Sequence, residues 1–158
     1  MEDKDLLKQE PDENLFLSIV EQSQDAIYIL FEGKFEYFNR KFSEIFQITL
    51  VEANSPDFSM FNLVAPESRH FIEERLKKIA QGEPVEPHYD FIALTMDGRK
   101  IVVEVSVSYV PYRGGTASYG ILRDVTARKR IEEKLQETKH QQKAILDNIP
   151  DIAWLKDR

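Results

Sequence analysis

The spacing of apolar side chains changes period several times along the chain, and each change marks an element boundary. Leu15, Phe16, Ile19 and Val20 repeat at helical spacing behind Pro11-Asp12, which predicts a short helix with one apolar face. Residues 25–31 and 34–38 read as strands, with Glu32-Gly33 as the turn of a hairpin. Asn39 is placed to cap a helix over 40–47, whose Phe42, Ile45 and Phe46 face inward. Residues 49–63 read as irregular, because Ser55-Pro56-Asp57 breaks any long element. Pro66 suits a first helical turn and predicts a helix ending near Gly82, with an apolar stripe of Ile72, Leu76 and Ile79.

The clearest strand signal follows, over 87–96 and 101–110. In the second run Ile101, Val103, Val105, Val107 and Tyr109 alternate with Glu104, Ser106 and Ser108, so one face is buried and one is wet. A three-residue loop Met96-Asp97-Gly98, with Gly98 left-handed, sets Phe91 opposite Val103 and Tyr89 opposite Val105. It leaves Asp90 and Glu104 on the outer face. A two-residue loop would pair apolar with charged residues, so the three-residue register is expected. A last strand runs over 116–124, after a turn at Gly114-Gly115.

At Asp124-Val125-Thr126 the pattern turns from strand to helix. Thr126 can cap that helix, and Asp124 adds negative charge beside its positive end. Beyond it Ile131, Leu135, Thr138, Gln142, Ile145 and Ile149 step by alternating four and three residues, a heptad seam with a polar middle. Such a seam is buried most simply by the same helix of a second chain. The end of the chain repeats an earlier pattern: Ile145-Leu146-Asp147 through Asp151-Ile152-Ala153-Trp154-Leu155 follows Ile19-Val20-Glu21 through Asp25-Ala26-Ile27-Tyr28-Ile29, 126 positions on. The expected organisation is a mobile acidic tail over 1–11, a domain over 12–126, a connecting helix over 127–149, and the start of a second, truncated copy over 150–158.

Composition narrows the function. The 158 residues suffice for one domain and a tail, and 42% hydrophobic content supports a packed core. No apolar run approaches a membrane span, and Met1-Glu2-Asp3-Lys4-Asp5 lacks the basic and apolar regions of a signal peptide, so a cytoplasmic location is expected. Cysteine is absent, which excludes disulfides, thiolate metal sites and cysteine adducts. A net charge of −7 argues against a general nucleic-acid binder. His70, His88 and His140 have no metal-ligand spacing, and no phosphate-binding glycine loop or catalytic cluster occurs. The chain is therefore not expected to be an enzyme.

The order of these elements resembles the PAS sensory domain. The likeness rests on residues 19–31, Asn39-Arg40-Lys41-Phe42, Val64-Ala65-Pro66-Glu67-Ser68-Arg69, Asp97-Gly98-Arg99 and Gly120-Ile121-Leu122-Arg123-Asp124-Val125-Thr126. The resemblance implies an α+β fold: a five-stranded antiparallel sheet with helices on one face, an N-terminal flanking helix, and a long coiled-coil-like C-terminal helix. It also implies a regulatory module of a multidomain signalling protein, of the sensor histidine kinase or diguanylate cyclase type. The flavin-binding branch that this fold resembles forms its photoadduct through a cysteine and carries a glutamine on the last strand. This chain has no cysteine and carries Leu122 there, so photoadduct chemistry is excluded. The haem branch uses a histidine on the long helix, which makes His70 its candidate ligand. Helical spacing puts His70 opposite the apolar stripe, against haem. The cofactor stays open.

A small, largely apolar or aromatic ligand is the remaining candidate. Its pocket would draw on Ile27, Ile29, Phe42, Phe46, Met60, Ile72, Phe91, Val103, Val105, Tyr119 and Ile121. Tyr89, Tyr109 and Tyr119 could offer hydroxyls. Asp124 and Thr126 would couple the sheet to the exiting helix, and Ile131, Leu135, Thr138, Gln142 and Ile145 would form the homodimer seam. Rival readings are a ligand-free dimerisation and protein-interaction module, a haem gas sensor, and a small enzyme with Asp90 as its acid.

Overall fold

The computed structural model of the chain describes residues 12–147, which divide into two units between Asp124 and Val125. The tail expected over 1–11 and the repeat expected over 150–158, with Ile149, lie outside the described residues.

The first unit opens with α1 (Glu13–Glu21), whose first turn is capped by the Asp12 carboxylate accepting from Leu15 N at 2.8 Å. Strands β1 (Ala26–Phe31) and β2 (Lys34–Phe38) form the expected hairpin. Glu32 and Gly33 both have positive φ, +51° and +78°, as a tight turn with right-handed twist requires. Two short helices follow, α2 (Arg40–Phe46) and α3 (Leu50–Ala53), then a 3₁₀ turn (Met60–Leu63). The last two break up a region whose sequence reads as irregular. The long helix α4 (Pro66–Ala80) starts with proline and ends before Gly82, at φ +75°. Strands β3 (His88–Leu94), β4 (Lys100–Tyr112) and β5 (Gly115–Asp124) complete an antiparallel sheet of order β2-β1-β5-β4-β3. The β4–β5 turn falls on Arg113-Gly114, one residue earlier than the glycine pair suggests.

The β3–β4 register is the expected one: Phe91 faces Val103, Tyr89 faces Val105, and Asp90 pairs with Glu104. The inner sheet face carries Ala26, Tyr28, Phe91, Ala93, Val103, Val105 and Leu122, and packs on Phe42 and Phe46 of α2. Rings of Phe35, Phe38, Phe42 and Phe46 run through this core, Phe42 lying 4.6 Å from both Phe38 and Phe46. Each such ring taken from water contributes about 1.5–3 kcal/mol.

Asn39 ties three segments together. Only 1% exposed, its side-chain oxygen accepts from Ile27 N at 3.0 Å and from Phe42 N at 3.1 Å. Its amide donates to Val20 O at 2.8 Å and to Asp25 O at 3.0 Å. The predicted cap of α2 is thus also the anchor of the α1 C-terminus and of β1. Helix α4 is tied to edge strand β3: the Ser68 hydroxyl accepts from Ile92 N, and Ala65 N donates to Ile92 O, both at 2.9 Å.

The second unit is the helix α5 (Thr126–Asp147). Thr126 is its first residue, so the cap position falls on Val125, whose carbonyl accepts from Lys129 N at 2.9 Å, rather than on Thr126 as expected. Ile131, Leu135 and Ile145 are exposed along it, and the Thr138 hydroxyl folds back onto Lys134 O at 2.9 Å. Among the described residues, no helix is long and apolar enough to cross a membrane.

Candidate ligand cavity

Between the inner sheet face and the helices lies an apolar cavity of about 60 Å³. Phe42 and Phe46 reach it from α2, Met60 and Leu63 from the 3₁₀ turn, Ile72 from α4, and Tyr28, Phe35, Tyr89, Phe91 and Leu122 from the sheet. Five of the expected pocket residues therefore meet here: Phe42, Phe46, Met60, Ile72 and Phe91. Val103 and Val105 point the same way but are sealed in the core, fully buried.

Four expected pocket residues lie on the opposite face. Ile27, Ile29 and Tyr119 line an outer trough against Phe16, Leu17 and Val20 of α1, and Ile121 shares their face on β5. Tyr119 and Ile121 are 37% and 39% exposed. The reason is parity. Successive strand residues alternate faces, and both faces of β1 are apolar, so hydrophobicity does not say which set points in. The inner residues are Tyr28 on β1, paired with Gly120, and Leu122 on β5, paired with Ala26. A Cβ on Gly120 would overlap the phenol of Tyr28, so this glycine makes room for the ring. Tyr109 is exposed like Tyr119, which leaves Tyr89 as the one of the three candidate tyrosines on the cavity wall.

The polar end of the cavity is a pair of phenols. Burial first, then the neighbouring Tyr89 phenol, holds the Tyr28 phenol far above its ordinary pKa. Burial also raises Tyr89, against the opposing pull of the Arg75 guanidinium. Both phenols are therefore neutral donor–acceptors at physiological pH. The sequence stripe of α4 missed Arg75. The helix buries Ser68, Ile72 and Arg75, while Leu76 of the expected apolar stripe is exposed. A helical phase of 68, 72 and 75 is consistent with burial of a long-stemmed arginine.

His70 is exposed on α4, away from the cavity wall. With the cavity at about 60 Å³, against roughly 300–1,000 Å³ for organic-ligand sites, the residues present do not fit a haem. Asp90 lies on the outer face opposite Glu104, so the enzyme reading has no acid in the cavity. Among the described residues no cluster of His, Cys, Asp or Glu could hold a metal ion.

A five-stranded antiparallel sheet of this order, with helices closing one face over an apolar cavity, defines the α+β PAS fold. The chain belongs to the PAS domain family, whose sequence profile, described as "PAS domain", matches residues 24–127. No functionally curated protein matches the sequence. Solved structures with this fold include a sensory box histidine kinase/response regulator from Burkholderia thailandensis. It is 19% identical with a TM-score of 0.60, covering 82% of this chain and 98% of that one. The PAS domain of an HTR-like protein from Haloarcula marismortui is 20% identical with a TM-score of 0.56, covering 78% and 97%. An RNA-binding light-oxygen-voltage receptor is 18% identical with a TM-score of 0.64, covering 84% and 41%. At these identities the likeness is one of fold.

Proposed function

We propose that the chain is a regulatory sensor module of a cytoplasmic, multidomain signal-transduction protein. It takes a small-molecule or partner signal at the sheet and passes it through α5, which pairs with its counterpart in a homodimer. One observation carries this reading: Leu122 lines the cavity, and its strand runs into α5 four residues later at Thr126 without an intervening loop. A change in cavity occupancy that shifts β5 thus acts on the root of the helix, and packed helices tend to switch between discrete arrangements. Asp124 and Thr126 are the proposed coupling residues. Histidine kinases and a diguanylate cyclase among the structures of this fold support such a setting.

The small cavity and the apolar outer trough favour a second reading, a ligand-free dimerisation and interaction module. Native mass spectrometry of gently purified chain separates the two. A dimer carrying a retained small molecule is the expected result. A dimer with no adduct favours the second reading, and a monomer overturns the homodimer in both. In the parent protein, an unchanged signal response after Asp124→Ala and Thr126→Ala would refute the coupling role.

A further inference from the structure

Arg75 is a cation that the fold buries without neutralising. It is 8% exposed, and no carboxylate of the described residues lies within ion-pair distance of it. Its guanidinium lies over the Tyr89 ring at 3.8 Å, while Nη1 donates to the Glu86 carbonyl. Nη2 is buried with no acceptor among the described residues. A buried cation is stable when paired, and a buried donor normally has a partner. This one has a ring face and a carbonyl, neither of them charged.

Arg75 also lines a groove of about 650 Å³, between α4 and the segment that leads into β3. The groove is of ligand size. Its apolar walls are Phe71, Pro84, Val85, Pro87 and Tyr89, with the Phe71 and Tyr89 rings 5.9 Å apart. Glu74, Lys78, Glu86 and His88 complete its lining. The two glutamates oppose a dianion, while one buried guanidinium matches one negative charge. The walls suit a short hydrocarbon.

We propose that this groove binds a small monocarboxylate with an apolar tail, the carboxylate pairing with Arg75 and the tail lying between Phe71 and the Pro84–Tyr89 segment. The site is distinct from the cavity, yet Tyr89 belongs to both walls. An occupant of the groove therefore reaches the Tyr28–Tyr89 pair, and through Val105, opposite Tyr89, the strand that pairs with Leu122.

The test is a titration of isotope-labelled full chain at fixed ionic strength, followed by two-dimensional NMR. Butyrate is expected to move the Arg75 Nε–Hε signal and the amides of Val85, Glu86 and His88 saturably. Butyramide and inorganic phosphate at equal concentration should not. Arg75→Gln should weaken butyrate at least tenfold. Equal shifts from butyrate and butyramide, shifts that never saturate, or perturbation confined to residues such as Leu122 would overturn the site. The acid–amide comparison on the unaltered chain stands even if Arg75→Gln fails to fold. An unmoved Arg75 signal refutes the groove site and leaves the cavity proposal untouched.

Discussion

Asn39→Asp replaces one NH₂ group with an oxygen and changes almost no volume, so its effect isolates the chemistry of one buried amide. The side-chain oxygen can still accept from Ile27 N and Phe42 N. The two donated bonds, to Val20 O and Asp25 O, become contacts between oxygens. At 1% exposure the new carboxylate has little water to compensate it. Its pKa in the folded state must rise above the unfolded value of roughly 3.9, and a rise of about 3 units corresponds to about 4 kcal/mol. Because the folded state then holds the proton more tightly, the variant is nearest to the parent below about pH 4 and falls away as pH rises through the folded pKa. The residual loss in acid is about 1–2 kcal/mol, since a protonated carboxyl donates once where the amide donated twice. Asn39→Ala instead loses all four bonds, about 4 kcal/mol at every pH. Both figures are large against the 5–15 kcal/mol of a typical domain. Urea unfolding followed by circular dichroism, at pH 7 and near pH 4 against the unaltered chain at each pH, reads the difference. An aspartate variant as stable as the parent at pH 7, or a deficit that does not shrink in acid, would refute the reasoning.

Gly120→Ala pushes a methyl group into the Tyr28 ring, and a loss of about 1–3 kcal/mol is expected in thermal unfolding, with no loss showing that the ring has room to move. Phe46→Ala, which opens the buried end of the cavity, should cost about 3–5 kcal/mol by the same measurement, and a cost below 1 kcal/mol would mean the helix collapses onto the sheet. Arg123→Ala breaks the pair that holds Asp25 at 2.8 and 3.2 Å, but the pair is at the surface, so the melting temperature should barely move and any change should diminish in high salt. In a chain with no native cysteine, Leu135→Cys should give disulfide-linked dimers under mild oxidation and Glu133→Cys far fewer; equal yields would contradict a seam through Leu135.

How much could be read from the chain depended on whether polar residues marked a face. In β4 the outward Glu104, Ser106 and Ser108 fix the parity, so the β3–β4 register is legible down to individual pairs. In β1 the run Ala26-Ile27-Tyr28-Ile29-Leu30-Phe31 offers no such mark, and Ile27 and Ile29 face the outer trough, not the cavity their hydrophobicity suggests. Gly120 was the available clue, since a glycine within a strand indicates that something large approaches it closely. The α4 stripe failed differently. Its apolar residues point to Leu76, whereas the buried position is Arg75, whose stem packs like an aliphatic chain. Asn39 was legible as a cap because capping is local. Its bonds to Val20 and Asp25 span 19 and 14 residues and are invisible to local pattern.

The place of β5 in the sheet has a mechanical consequence. It is the strand that continues into α5, and it is also the central one, flanked by β1 from Leu122–Ala26 to Ser118–Leu30 and by β4 from Asp124–Val103 to Gly115–Tyr112. A tug along this strand loads the hydrogen bonds of both flanks together, in shear. An edge strand would instead yield one bond at a time, like a zipper. The sheet thus resists a pull along its exit strand, and such a load is shared by the strands on both flanks and does not escape through a fraying margin.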